Sequence, residues 1–379
     1  MSLSLPVDPP SARSLTGVVA ESIRSLSGSS AWFAPARSAI VVLVDGLGRG
    51  NLTARAGHAR FLAGALTKRD AARTTFPSTT ATALSSLLTG EDAGRHGIVG
   101  YRLRVPGTDR TPDQLGGYES DGLDPLTWQR SVPLLERHVA TGARAFAVSR
   151  ARYATTGFTI ALQRGATFVA AESIAERLAV AAALAAAHDG AVVYVYAPEL
   201  DTVGHAAGWE SDRWLHALEE LDRDVAAFAA SLAPDVGAVV TADHGMVDVP
   251  AHRHVLLAEG DGLLDGVRHV AGEPRMLHLY ADEGAADGVA SRWRESESGR
   301  SWVLSRAEAV AAGLFGPVVD AEVLPRIGDV LVAARAPIAY YDDRLTDKRA
   351  QRMIGQHGSL TDQERIVPLV RLGAYATPR

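Results

Sequence analysis

SAIVVLVDGLGRG, residues 38–50, is the stretch that decides the fold. Ile40–Val44 is an unbroken apolar run, mostly β-branched, and it stops abruptly at Asp45-Gly46. A strand that is apolar on both faces is buried on both faces, which is the condition of a strand inside a parallel sheet. The same grammar recurs in ARAFAVS (143–149), AVVYVYAPEL (191–200) and VGAVVTADHG (236–245). Helical patterns lie between these runs. Ala170–His188 is alanine-rich, with Glu172, Glu176 and Arg177 as further helix formers. In 210–232, Trp214, Leu218, Leu221, Val225 and Phe228 recur at steps of four and three, which is one face of a helix. Residues 15–26 read as a short amphipathic helix. Strands alternating with helices predict an α/β fold: a doubly wound, mostly parallel central sheet with helices on both faces.

Such sheets gather functional groups at the carboxyl ends of their strands. Three of the apolar runs are followed there by an acid: Asp45, Asp201 and Asp243. His205 stands four residues after Asp201, His244 directly follows Asp243, and His357 sits in GQHGSL. Alone, any one histidine among the twelve is a structural or surface residue, and Asp45 alone could be a helix cap. Together they are three carboxylates and three imidazoles at turns and strand ends, a donor set suited to zinc. Six such ligands divide into two sites of three, and paired metals can hold both oxygens of an in-line phosphoryl displacement. The GLGRG after Asp45 misses the G-x-G-x-x-G spacing of a dinucleotide loop.

A nucleophile is suggested by TTFPSTTATALSSLLTG (74–90), where Thr75, Ser78, Thr79, Thr80 and Thr82 crowd around Pro77 before a helical pattern. A helix N-terminus favours a phosphoryl oxygen, and a threonine hydroxyl needs a base or metal to remove its proton.

In these motifs the chain resembles the type I phosphodiesterase/nucleotide pyrophosphatase family of the alkaline phosphatase superfamily. They are D-G at 45–46, F-P-S-x-T at 76–80, T-G and H-G across 89–97, D-x-x-G-H at 201–205, A-D-H-G-M at 242–246 and H-G at 357–358, in order over about residues 38–370. The resemblance implies an alkaline phosphatase-like fold and two zinc ions per chain. One would be held by Asp201, His205 and His357, the other by Asp45, Asp243, His244 and the Thr80 oxygen. Thr80 would be the nucleophile, four residues after Phe76, with Thr79 its nearest competitor. The reaction implied is cleavage of a phosphodiester or pyrophosphate bond in a nucleotide or other small molecule, through a phospho-threonine intermediate. Two positions depart from the family's pattern. Tyr101 stands where an asparagine commonly holds a phosphate oxygen, and Glu199-Leu200 precedes Asp201 in place of the common proline. Tyr101 is kept as a substrate-binding candidate, although a packing role is the simpler reading.

Composition limits the alternatives. The 379 residues are 47% hydrophobic and 22% charged, a globular balance with a full core. Lys+Arg 38 against Asp+Glu 44 gives a net charge of −6, so no basic excess indicates a nucleic-acid partner. The absence of cysteine excludes thiolate metal sites, thiol nucleophiles and a sulfatase whose formylglycine derives from cysteine. The longest apolar run, Leu178–Ala187, is ten residues, too short for a membrane span. The N-terminal stretch lacks the pattern of a secretory signal, so a cytoplasmic location is expected. One domain is expected over 1–379, with capping insertions at about 101–130 and 250–340. Within the same chemistry the alternatives are a phosphomonoesterase, a phosphonate hydrolase or a manganese-using phosphomutase relative. From another class, the alternative is a non-catalytic zinc-stabilised binding protein. Arg275, His252 and His254 are read as solvated loop residues, and His96 as a support for the turn after the nucleophile helix.

Overall fold

A computed structural model describes residues 4–9 and 11–376. The central sheet contains β1 (Ser38–Val44), β2 (Ala145–Ser149), β3 (Thr167–Ala170), β4 (Val192–Ala197) and β5 (Val236–Thr241). The second sheet contains β6 (Val267–Glu273), β7 (Met276–Ala281), β8 (Ser301–Ser305) and β9 (Val330–Ala334), and β10 (Val370–Gly373) returns to the first. The central order is β10-β5-β1-β4-β2-β3, parallel except for β10, which runs antiparallel to β5. This is the expected mostly parallel α/β sheet. All seven residues of β1 are buried, as its apolar run requires.

The helices bury their predicted faces. α1 (Thr80–Thr89) is buried along its whole length. α2 (Ile174–Ala187) begins at Ser173, whose side chain forms a reciprocal capping box with Glu176. The predicted helix therefore starts late, because Thr167–Ala170 pairs as β3 at the sheet edge. α3 (Glu199–Ala207) leaves the end of β4, and α4 (Asp212–Ser231) buries Trp214, Leu218, Leu221, Val225 and Phe228. One large apolar cluster joins these faces to the sheet.

Residues 101–130 are mostly irregular, with one short helix at Gly117–Ser120. The 250–340 stretch contains the antiparallel sheet β8-β9-β7-β6 and the helix α5 (Ala286–Glu297), which packs Trp293 into an apolar core separate from the first. The two stretches are stitched together where Gly272 N–H donates to the Arg102 carbonyl at 2.9 Å.

Arg275 corrects the expectation of a solvated loop residue. It is fully buried, with Nε 2.7 Å and Nη2 2.9 Å from the two Glu364 oxygens. Its remaining N–H groups donate to the carbonyls of Ala334, Ala336 and Ile338, so a charge that would be costly in the interior is fully satisfied. His252 is exposed as expected, but His254 is half-buried, its ring tilted against that of Tyr341 at 4.7 Å.

His96 takes the supporting role expected of it. Its Nδ1 accepts from Ile98 N–H at 3.1 Å and its Nε2–H donates to Ser86 Oγ of α1 at 2.8 Å, which fixes one neutral tautomer. Burial, reinforced by the Arg326 charge, lowers its pKa to about 3. Below the ordinary value of 6.5 the unfolded chain therefore binds a proton that the folded chain refuses, so this group's contribution falls as pH drops from 6.5 toward 3. In denaturant unfolding across that window, His96→Gln should show a shallower loss of stability than the native chain. An equal slope would contradict the assignment.

Candidate metal centre

β5, β1 and β4 lie side by side, and their carboxyl ends deliver the three acids to one place. Asp45 follows β1, Asp243 follows β5, and Asp201 sits in the first turn of α3 after β4. Gly46 allows their approach. Its φ is +75°, and a Cβ there would lie 3.2 Å from the Asp201 Cα. Asp45, Asp243 and His244 place ligand atoms within 4.8 Å of one another, and so do Asp201, His244 and His357. His205 is just outside the second group, its Nε2 3.3 Å from Asp201 Oδ1. The six predicted ligands thus converge, with His244 central to both groups and its ring stacked 3.5 Å from that of His357.

The hydrogen bonding leaves one set of atoms unused. Asp45 Oδ1, Asp201 Oδ1 and Asp243 Oδ2 are buried without a hydrogen-bond partner. Their sister oxygens on Asp45 and Asp243 are occupied. Tyr196 O–H donates to Asp45 Oδ2 at 2.5 Å, and the N–H groups of Gly46 and His244 donate to Asp243 Oδ1 at 3.1 and 3.0 Å. Each imidazole donates through Nδ1 to a carbonyl: His205 to Gly355 at 2.7 Å, His357 to Ser78 at 2.9 Å and His244 to Gly245 at 3.1 Å. All three Nε2 lone pairs are therefore presented inward, the orientation that metal-binding histidines take from such backbone bonds.

The electrostatics agree. Burial, then the charges of Asp243 and Asp201, push the Asp45 carboxyl well above its usual range. Burial raises Asp243, and burial pushes Asp201 up to about 6 against the opposing pull of His205. Burial and the facing His205 lower His244 to about 3, and burial with His244 and His205 takes His357 well down. Crowded carboxylates facing neutral imidazoles need a cation that the described side chains do not provide, and a divalent metal fits this donor set.

Thr80 is the first residue of α1, and its hydroxyl donates to His244 Nε2 at 3.1 Å. Thr79 is the N-cap of the same helix, and its side chain makes no capping bond. Tyr101 is anchored by its backbone, its N–H donating to Glu273 Oε2 at 2.9 Å and its carbonyl accepting from Gln114 N–H at 2.8 Å. Its phenol bonds neither Thr80 nor any of the six ligands among the described residues. Burial and the charge of Asp113 push its pKa up to about 12, so it stays a protonated donor.

Sequence reasoning missed the supports. Tyr196 holds Asp45, and its place in the alternating VYVY of β4 was the available signal, because a buried phenol needs a partner. Glu199 receives Arg150 at 2.7 Å and the buried Arg177, which also donates to the Tyr196 carbonyl at 2.6 Å, fixing the start of α3. Glu273 of β6 presses on the His357 loop, where a Cβ on Gly358 would lie 2.5 Å from its Cγ.

Residues 39–360 match the family described as type I phosphodiesterase / nucleotide pyrophosphatase. No protein of curated function matches the chain in sequence. Similar solved structures include murine ectonucleotide pyrophosphatase/phosphodiesterase 5, at 17% identity and a TM-score of 0.66 over 87% of both chains. A further structure of that protein, an inactive threonine-to-alanine variant in complex with AMP, shows the same identity and score over 89% of this chain and 88% of that one. Phosphonoacetate hydrolase from Sinorhizobium meliloti, in complex with phosphonoacetate, is 19% identical with a TM-score of 0.68 over 92% of both chains. The chain belongs to the type I phosphodiesterase/nucleotide pyrophosphatase family. It is a metal-type phosphoester hydrolase.

Tyr196→Phe removes the bond that orients Asp45 while keeping the packing. Divalent-metal affinity, measured by competition with a chelator, should fall about 10- to 100-fold. An unchanged affinity would remove Tyr196 from the support of this site.

Proposed function

We propose that the chain hydrolyses phosphodiester or pyrophosphate bonds of small molecules, using two zinc ions and a phospho-threonine intermediate on Thr80. The observation that carries this reading is the Thr80 hydroxyl, 3.1 Å from His244 Nε2 at the edge of both ligand groups. Asp45, Asp243 and His244, with the Thr80 oxygen, would hold one zinc, and Asp201, His205 and His357 the other. When bound, the pair supplies Lewis acidity that lowers the Thr80 pKa and offsets charge on the attacking and leaving oxygens.

The chain's own residues do the positioning. α1 aims its first-turn N–H groups and positive dipole end toward the site that a phosphoryl group would fill beside Thr80. Thr80 Oγ attacks phosphorus and the bond to the leaving oxygen breaks. Water then attacks the phospho-threonine, restoring the hydroxyl and releasing the phosphoryl product. Phosphoryl transfer is largely positioning and electrostatics, which suits a site whose side chains are nearly all tied to backbone or to one another. The inactive threonine variant of the murine relative, in complex with AMP, supports both the residue type and a nucleotide-like substrate.

A second reading, phosphonate hydrolysis, is favoured by the likeness to phosphonoacetate hydrolase over 92% of the chain. Turnover of bis-p-nitrophenyl phosphate, p-nitrophenyl phosphate and phosphonoacetate by zinc-loaded protein separates the readings, and the diester should be fastest. A clear monoester or phosphonate preference would overturn the choice. Thr80→Ala should lower turnover about 10³-fold or more, with zinc content still near two per chain, while Thr79→Ala stays active. Full activity of Thr80→Ala would refute the intermediate.

A further inference from the structure

The ligand cluster is not equally open on all sides. Asp45, Asp243 and His244 side chains are at most 3% exposed, whereas Asp201 is 16% and His205 20% exposed. The cluster is therefore more open on the Asp201–His205 side. β2 lies next to β4 in the sheet, and its carboxyl end releases Arg150-Ala151-Arg152-Tyr153 against the start of α3, where Arg150 meets Glu199 two residues before Asp201. The Tyr153 ring meets Tyr196 edge-on at 5.8 Å, and Tyr196 is the residue whose hydroxyl holds Asp45. A chain of direct contacts thus runs from the metal ligands to this loop.

The two arginines of the loop differ in their commitments. Arg150 is engaged by Glu199, which Arg177 also holds. Arg152 is exposed, lies over the Tyr153 ring at 4.7 Å and donates Nη2 to the Tyr153 hydroxyl at 2.6 Å. It has no carboxylate partner among the described residues. The ring and the phenol hold the guanidinium in place, and its remaining N–H donors have no hydrogen-bond partner among the described residues. A pre-positioned guanidinium with open donors recognises a carboxylate or phosphate oxyanion.

We propose that Arg152, set by Tyr153, is a specificity residue that selects substrates carrying a second oxyanion a few bonds from the reacting phosphorus. This deepens the proposed function and rests on that reading for the location of the phosphorus. The neighbouring hydrolase seen with phosphonoacetate shows that this architecture admits a ligand with two anionic ends.

The test compares paired ligands on the zinc-loaded full chain: methylphosphonate, with one anionic end, against phosphonoacetate and methylenediphosphonate, which add a carboxylate or a second phosphonate. Affinities are taken from competition against bis-p-nitrophenyl phosphate hydrolysis and, independently, from calorimetric titration. The native chain should favour at least one two-ended ligand by about tenfold, and which one it favours identifies the second group. Arg152→Ala should abolish that ratio and Arg152→Lys should keep part of it. An equal ratio in native and Arg152→Ala protein overturns the proposal, as does a native ratio near one. If hydrolysis of the diester is absent, the proposed reaction fails, while the calorimetric ratio still decides the role of Arg152.

Discussion

Three crowded carboxylates, Asp45 and Asp243 buried and Asp201 half-buried, with no cationic side chain beside them among the described residues, are the constraint on which the rest of this structure depends. Adjacent parallel strands are spaced about 4.8 Å apart, so acids placed at the ends of β5, β1 and β4 are forced into one another's fields. Removing such groups from water is costly unless their charge is compensated. Here the nearest ring nitrogens belong to His244 and His205, at 3.3 Å from Asp45 and Asp201, and burial holds His244 neutral. The protein therefore spends fold stability to keep a site whose balance a bound metal cation would restore. That is the signature of a functional centre and not of a structural ion-pair network.

The surroundings show how such a site is kept from collapsing. Every Nδ1 is fixed by a carbonyl, and Asp45 and Asp243 each have one oxygen fixed by a donor, so only the inward-facing atoms stay free. Arg177 joins the end of β4 to Glu199, which couples the start of α3 to the strand that precedes it. The second sheet contributes from outside. Its Glu273 backs the His357 loop, and Arg275 reaches Glu364 just beyond that loop. The fold is thus a rigid cradle for ligands that come from positions 45 to 357, and the second sheet braces the last of them.

Legibility followed how locally each feature is encoded. β1, β4 and β5 were readable because apolar continuity is a local property, and the residues at their ends carried the donors Asp45, Asp243 and His244 with them. The face of α4 was equally readable from its spacing. β3 was not, because an edge strand with partly exposed residues lacks that continuity and adjoins good helix formers. Arg275 was misread for a related reason. A lone arginine in GEPR carries no local sign of its partner, which lies 89 residues away. Tyr196 and Glu199 escaped because their roles depend on contacts between elements. Candidate metal ligands were more readable in the sequence than the groups that hold them in place.

The antiparallel strand β10 has a consequence for the order in which the molecule is made. It is the partner of β5, the strand that delivers Asp243 and His244, and it comes from residues 370–373. During synthesis more than a hundred residues are translated while that flank of β5 presents unpaired backbone groups. An uncovered flank of this kind invites pairing with another chain. Only the arrival of β10 covers that flank, so one step ends both the exposure and the assembly of the sheet.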